Sequence, residues 1–125
     1  MPQALIVAEG SSAGSLLAEP LRSWGFEPVL LRQGRPALEW ARRHRPEVVL
    51  LGRMLPDVSG HEVCRQLKLH PATNLLPVVM AAGPAGPEDP VRGVTVGANR
   101  YLAVPFTAQE LRGAVDEARA WREGA

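Results

Sequence analysis

The chain is poor in several residue types, and each scarcity excludes something. Its 125 residues include one cysteine, Cys64, so no internal disulfide can form and a reducing, cytoplasmic location is expected. No apolar run approaches the roughly 20 residues that span a bilayer. Met1-Pro2-Gln3-Ala4 lacks the basic start and apolar stretch of a secretion signal. Lys68 is the only lysine, and Asp57, Asp89 and Asp116 are the only aspartates. Chemistry that needs a lysine or a cluster of aspartates therefore has few candidates. Neither sign of charge dominates: 14 basic and 13 acidic groups leave a formal charge of +1, which argues against a nucleic-acid or membrane-surface binder.

What is present suits one folded domain over residues 1–125. A hydrophobic content of 46% with 22% charged residues excludes disorder. A globule of this length buries about two-thirds of its unfolded surface and needs no disulfide or metal staple. No repeat or linker is visible. Only Gly83 to Pro90 (GPAGPEDP) has the composition of a loop.

Short apolar runs alternate with helix-period segments. The runs are Ala4–Ala8, Pro28–Leu31, Val48–Leu51, Pro77–Ala81 and Tyr101–Val104. They are continuous rather than alternating, as strands buried on both faces require. Between them, Leu16, Leu17, Leu21 and Trp24 fall on one helical face. Ala37, Leu38 and Ala41 fall on a second, and Val63, Cys64 and Leu67 on a third. Leu111, Ala114, Val115, Ala118 and Trp121 form the last stripe. Five strand–helix units joined by right-handed crossovers predict an open parallel α/β sheet, (βα)5, covered on both faces. Ser59 with Glu62 and Thr107 with Glu110 fit capping boxes. Asp89-Pro90 fits a helix start and Gly97 a helix stop. Pro20 conflicts with the first helix and predicts a kink or early break.

Ligands of an open parallel sheet bind beyond the carboxyl ends of the strands. Those ends carry Ala8, Glu9 and Gly10; Gly52 and Arg53; Ala82 and Gly83; and Val104, Pro105 and Phe106. No nucleophile–base pair is among them, so an enzyme is not expected. Glu9 reads as a solvated carboxylate. Gly10 to Ser15 opens the first helix as a flexible cap, with a phosphate- or nucleotide-binding loop as the alternative. His44, His61 and His70 show no metal spacing and read as surface or capping residues. Cys64 reads as core. Trp40 reads equally as a partner anchor or a flat surface residue. Arg42, Arg43 and Arg45 suit a helix C-terminus. No cofactor or metal is expected.

Three segments carry a resemblance. Met54 to Cys64 (MLPDVSGHEVC), Leu76 to Met80 (LPVVM), and Gly97 to Leu102 (GANRYL) with Pro105-Phe106 resemble, in order, the receiver domains of bacterial two-component response regulators. The resemblance implies the flavodoxin-like, CheY-like fold with strand order 2-1-3-4-5. It also implies a site that takes a phosphoryl group from a histidine kinase onto an aspartate. The acid pair that holds Mg²⁺ there corresponds to Ala8-Glu9, and the acceptor aspartate to Gly52. The hydroxyl position corresponds to Ala82 and the lysine to Val104. An aspartate nucleophile, a divalent ion and cationic donors are what such chemistry requires. Only Glu9 survives, so the resemblance implies a pseudo-receiver without phosphorelay chemistry. Asp57 matches a loop residue, and Lys68 is expected far from the pocket. Pro105 matches a proline after a cis bond. Tyr101 matches a switch aromatic that Ala82 cannot pull, which predicts a single rotamer fixed by packing. The output face of the family, its fourth helix, fifth strand and fifth helix, corresponds to Val91, Val94, Arg100, Tyr101 and Arg112. The expected partner is a protein or a second copy on that face, with no direct nucleic acid and no membrane.

Overall fold

A computed structural model describes residues 2–9, 11–52, 55–82, 98–103 and 106–124; for 11–13, 15, 82, 103, 123 and 124 it describes the backbone alone. Five strands, β1 (Gln3–Val7), β2 (Glu27–Leu31), β3 (Val48–Gly52), β4 (Val78–Ala82) and β5 (Arg100–Ala103), pair in parallel in the order β2-β1-β3-β4-β5. The described helices are α1 (Ser11–Ser23), α2 (Gly34–His44), α3 (Gly60–Leu69) and α4 (Ala108–Gly124). The last is the fifth helix expected from sequence. The expected fourth helix, the Gly83–Pro90 loop, the Asp89-Pro90 start and the Gly97 stop lie outside the described residues.

The continuous apolar runs of the inner strands become strands because each is covered twice, whereas the run in β2, at the edge of the sheet, leaves Leu30 45% exposed, contrary to the expected burial on both faces. Ala4, Ile6, Val48, Leu50, Val79 and Ala81 face one way, onto Leu17, Leu21, Leu111 and Val115 of α1 and α4. Leu5, Val7, Val49, Leu51, Val78 and Met80 face the other way, onto Ala37 and Ala41 of α2 and Val63, Cys64 and Leu67 of α3. Alternate side chains of one strand thus feed two cores. Each fully buried Leu, Ile or Val supplies roughly 1.5–3 kcal/mol.

Three expectations at helix ends need correction. α1 runs through Pro20 to Ser23, so the early break, one of the two outcomes expected there, does not occur. The carbonyl deprived of a partner belongs to Leu16, on the solvent side, and the Ser23 hydroxyl donates to the Pro20 carbonyl at 2.7 Å. Leu16 itself is 64% exposed, because Leu17, Ala18 and Leu21 take the core-facing stripe. Trp121 is 41% exposed, beyond the buried Leu111, Ala114, Val115 and Ala118. Its ring instead lies 4.1 Å from the Lys68 ammonium.

That ammonium ties four elements together. Lys68 Nζ, on α3, donates to the Leu76 carbonyl at 2.9 Å and to Asn99 Oδ1 at 2.8 Å. Asn99 Oδ1 also accepts from the Val78 N–H at 2.8 Å. Burial pushes the Lys68 amine down to about 8, with Cys64 opposing slightly. The cluster sits at the amino ends of β4 and β5, the opposite end of the sheet from Gly52 and Ala82.

Candidate functional site

Parallel pairing sets the strand ends side by side. Val7 pairs with Leu51, Gly52 with Ala81, and Ala82 with Ala103, so Ala8, Gly52 and Ala82 share the carboxyl edge of the sheet. Ala8 is buried and its N–H donates to the Leu31 carbonyl at 3.1 Å. A Cβ built on Gly52 would lie 3.4 Å from the Val7 carbonyl oxygen and 3.6 Å from Ala8 Cα. These two positions, predicted from sequence to share a pocket, do adjoin. Glu9 follows on the exposed side of β1 and lines an open cleft of about 590 Å³ with Leu31, Arg32, Gln33, Pro36 and Pro56. Sequence reading placed Glu9 at the strand ends but missed this cleft, which the β2–α2 and β3–α3 connections create. Val104 and Pro105, with the expected cis bond, lie outside the described residues. So do Gly10 and the side chains of Ser11, Ser12 and Ser15 in the loop considered for phosphate.

Among the described residues, no three His, Cys, Asp or Glu side chains group as metal ligands. Glu9 is thus the one carboxylate that the described strand ends offer a cation. A divalent ion there would keep mostly water in its shell.

Asp57 has a role that sequence reading did not assign. Its Oδ1 accepts from the Gly34 N–H at 2.8 Å and its Oδ2 from the Arg35 N–H at 2.9 Å. Val58 N–H adds a third bond at 3.0 Å. The first turn of α2 is therefore capped from the β3–α3 connection, because Gln33 at the N-cap makes no side-chain cap bond. The Arg35 N–H, with Gly34 and Val58, holds the Asp57 carboxyl below its ordinary value against a partial desolvation. The nearest signal in the sequence was an aspartate just after a proline, and that signal does not name its partner.

The other singled-out residues divide. Ser59 caps α3, accepting from the Glu62 N–H at 3.1 Å, while the Glu62 carboxylate turns to Arg65 and Gln66. Thr107 and Glu110 form the full reciprocal box at 3.0 Å each way. His61, in the first turn of α3, is buried, contrary to the expected surface role. His44 Nδ1 donates to the Trp40 carbonyl at 3.0 Å, and its ring stacks on Trp40 at 4.3 Å. Trp40 is half-buried against the α2–α3 core. Cys64 is buried, and its thiol is pushed up to about 11 by desolvation.

On the expected output face, Arg100 and Tyr101 neighbour each other on β5. Arg100 pairs with Glu117 of α4 at 3.1 Å, and Tyr101 packs half-buried against the α2–α3 core. Arg112 is not brought to them. It pairs with Asp116 at 3.2 Å and lies over the Trp24 ring at 5.0 Å, on the α1 side of α4. Five residues round a helix separate Arg112 from Glu117 by about 140°. Val91 and Val94 lie outside the described residues.

Comparison with known proteins agrees with this architecture. Residues 4–116 match the family model of the response regulator receiver domain. The phosphate regulon transcriptional regulatory protein PhoB of Rhizobium meliloti is 33% identical over 111 residues, which are 89% of this chain and 49% of that protein. The sensory transduction protein RegX3 of Mycolicibacterium smegmatis is 38% identical over 111 residues, 89% of this chain and 47% of that protein. The chain thus spans about half the length of the curated relatives it matches. A putative response regulator from Chloroflexus aurantiacus superimposes with a TM-score of 0.91 at 30% identity, covering 96% of this chain and 99% of that one. With its sheet order, its two-faced core and these matches in hand, the chain belongs to the response regulator receiver domain family.

Proposed function

We propose that this receiver domain of the two-component type does not accept phosphate and signals through protein contacts. The observation that carries the reading is Gly52. It ends β3 against Ala8, where the family resemblance puts the acceptor aspartate, and glycine has no atom to phosphorylate. Glu9 alone of the expected acid pair remains, so the Mg²⁺ that neutralises charge in phosphoryl transfer lacks its ligands. The losses are physically consistent with one another. A lysine kept at position 104 without its aspartate would be an unpaired desolvated charge costing several kcal/mol, and valine removes that cost.

The contact surface in this reading is β5 with the adjoining side of α4, led by Arg100 and Tyr101, and the partner is a protein or a second copy of the chain. Arg112 belongs to a separate side of α4 and serves as a control position. Nothing in the reading asks for a cofactor, a nucleic acid, a membrane or an enzymatic turnover, and its setting is the cytoplasm. The test is direct. Intact mass after incubation with acetyl phosphate and Mg²⁺ should be unchanged, and beryllofluoride with Mg²⁺ should not raise Tm. A gain of about 80 Da, one phosphoryl group, mapped to a carboxylate at the strand ends would overturn the reading.

A further inference from the structure

The amino end of the sheet, opposite Gly52, holds a second preformed surface. A groove of about 190 Å³ has Arg45 and Arg122 among its lining residues, with Pro71, Asn74, Leu75 and Leu76 from the α3–β4 connection. Leu75 is 53% exposed there. Its exposure does not come from a loose loop. The Thr73 hydroxyl donates to the Leu67 carbonyl at 2.7 Å, and the Thr73 N–H to the His70 carbonyl at 3.0 Å. The Leu76 N–H donates to the Thr73 carbonyl at 3.0 Å, and the Leu76 carbonyl accepts from Lys68 at 2.9 Å. Thr73 is itself buried. The connection is therefore fixed, and it holds a large apolar side chain in water.

Charge and backbone conformation at the same place point the same way. Arg45 closes α2 with φ 46° and ψ 70°, and among the described residues it is the only non-glycine with positive φ. This left-handed helix end is the position glycine ordinarily fills, and an L side chain is strained there. Arginine is not needed for the turn, since the bond that closes the helix is the backbone N–H to the Ala41 carbonyl. Strain retained without a structural gain marks a side chain kept for another use. Among the described residues Arg45 has no ion pair. Glu47, the carboxylate beside the groove, is shared by Arg119 and Arg122 at 3.5 Å each. The end of a nearly neutral chain thus carries a cation surplus beside an apolar floor.

We propose that this groove docks an acidic segment of a partner protein, with a carboxylate taken by Arg45 and Arg122 and a neighbouring large apolar side chain seated on Leu75 and Pro71. Guanidinium pairs suit carboxylates, and a fixed floor lowers the entropic cost of binding. A nucleic-acid backbone fits less well, because it needs a continuous basic track and the chain as a whole is charge-balanced.

The test uses the full chain. A random dodecapeptide phage library is selected on the immobilised protein, and an enriched sequence is resynthesised with a fluorophore for anisotropy. Enrichment of peptides with Asp or Glu beside Leu, Phe or Trp is expected, with affinity weakened about tenfold or more by Arg45→Gly and by Leu75→Asp. The same Arg45→Gly variant should raise Tm by a few degrees, because it relieves the left-handed arginine. That combination, stabler yet weaker in binding, is what a merely structural Arg45 would not give. Selection of basic or purely apolar peptides, binding indifferent to Arg45→Gly, a fall in Tm for that variant, stronger competition by a short nucleic-acid duplex, or occupation of the groove by a second copy would each overturn the proposal.

Discussion

Alanine at Gly34 should destabilise the protein, while alanine at Gly113 should stabilise it. Both residues lie in helices, so a rule based on helix propensity alone gives both substitutions the same sign: alanine gains roughly 0.5–1 kcal/mol over glycine. The surroundings differ. A Cβ on Gly34 would come within 2.5 Å of Val63 Cγ2 and 2.6 Å of Val58 Cγ2, where α2 meets α3 and the β3–α3 connection. Carbon atoms in contact rest about 3.5–4.0 Å apart, so α2 must move by about an ångström or two valines must leave their rotamers. Overpacking of this kind costs roughly 1–3 kcal/mol. Gly34 is also the first residue of α2, where the propensity gain is smallest. The net loss is then about 1–2 kcal/mol, or roughly 4–10 °C in Tm for a domain of this length. A Cβ on Gly113, within α4, meets nothing within 4 Å. It should therefore gain the whole propensity difference, roughly 2–5 °C. Gly14 is an internal control. Its added Cβ would sit 2.6 Å from Leu30 Cδ2, the far end of a half-exposed side chain on an edge strand that can swing away, so Gly14→Ala should be near neutral. Urea unfolding followed by far-UV circular dichroism gives the three midpoints, and constant slopes would show that stability alone changed. Repeating Gly34→Ala in a Val58→Ala, Val63→Ala background should remove most of its cost. Equal stabilisation by Gly34→Ala and Gly113→Ala would refute the packing argument.

Three further outcomes follow from the site and its supports. Gly52→Asp should fold, since its Cβ finds ordinary contact distances, yet gain no phosphoryl mass from acetyl phosphate because a lone aspartate lacks the second acid, hydroxyl and lysine; stoichiometric labelling would sink the view of a dismantled pocket. Asp57→Asn should lower Tm at pH 5–7 through the weakened α2 cap. Because the folded carboxyl titrates below its ordinary value, its stabilisation is complete above about pH 4 and fades as pH falls through the folded value, so the gap between wild type and variant should close at lower pH. A gap independent of pH would count against the charged cap. Lys68 works with the opposite sign. Its amine is held down to about 8, so the charged form costs stability below that pH, and the cost is relieved as pH climbs toward the ordinary lysine value. Cys64, held up to about 11, loses its contribution only above the ordinary thiol range, near pH 9. Wild-type Tm should therefore rise between about pH 8 and 9, and Lys68→Met should abolish the rise; parallel profiles for the two proteins would exclude this linkage.

The sheet was legible because its strands are uninterrupted. A run such as Val48–Leu51 has no polar residue to face water, and only a layer between two helical faces accommodates it. Helix stripes were legible in their middles and not at their ends. Leu16 and Trp121 fit the periodicity, but periodicity does not say where the sheet stops covering a helix. The strand-end positions Ala8, Glu9 and Gly52 followed from topology, and the structure sets Ala8 against Gly52. What sequence could not reveal were bonds whose partners are remote or are backbone groups. Asp57 caps an N–H 23 residues earlier, and Lys68 reaches Asn99 31 residues later. Backbone donors and acceptors are the same at every residue, so no letter in the sequence marks them. The strain at Arg45 was equally hidden: three arginines near a helix end read as a favourable dipole contact, and nothing there signals a positive φ.

The separation of scaffold from site explains how such a fold outlives its chemistry in the proposed reading. The stability of this domain lies in two cores built mainly of Leu, Ile, Val and Ala from the strands and helix faces, and Ala8 at the carboxyl end of β1 joins one of them. A phosphoryl-accepting pocket works against that stability, since several carboxylates close together repel one another and each buried charge must be desolvated. In that reading, Gly52 and Ala8 in their place remove the burden, and the buried Ala8 side chain joins one of the cores. The surfaces farther from the pocket, Arg100 and Tyr101 on β5 and the Arg45–Leu75 groove at the other end of the sheet, rest on elements that the replacement leaves in place. A Gly52→Asp, Ala8→Asp, Ala82→Thr, Val104→Lys variant puts this to the test. It should recover phosphoryl acceptance and, before phosphorylation and without Mg²⁺, melt below the wild type. A variant that regained acceptance with no loss of stability would show that the pocket was not exchanged for stability, and the reason for its loss would have to be sought elsewhere.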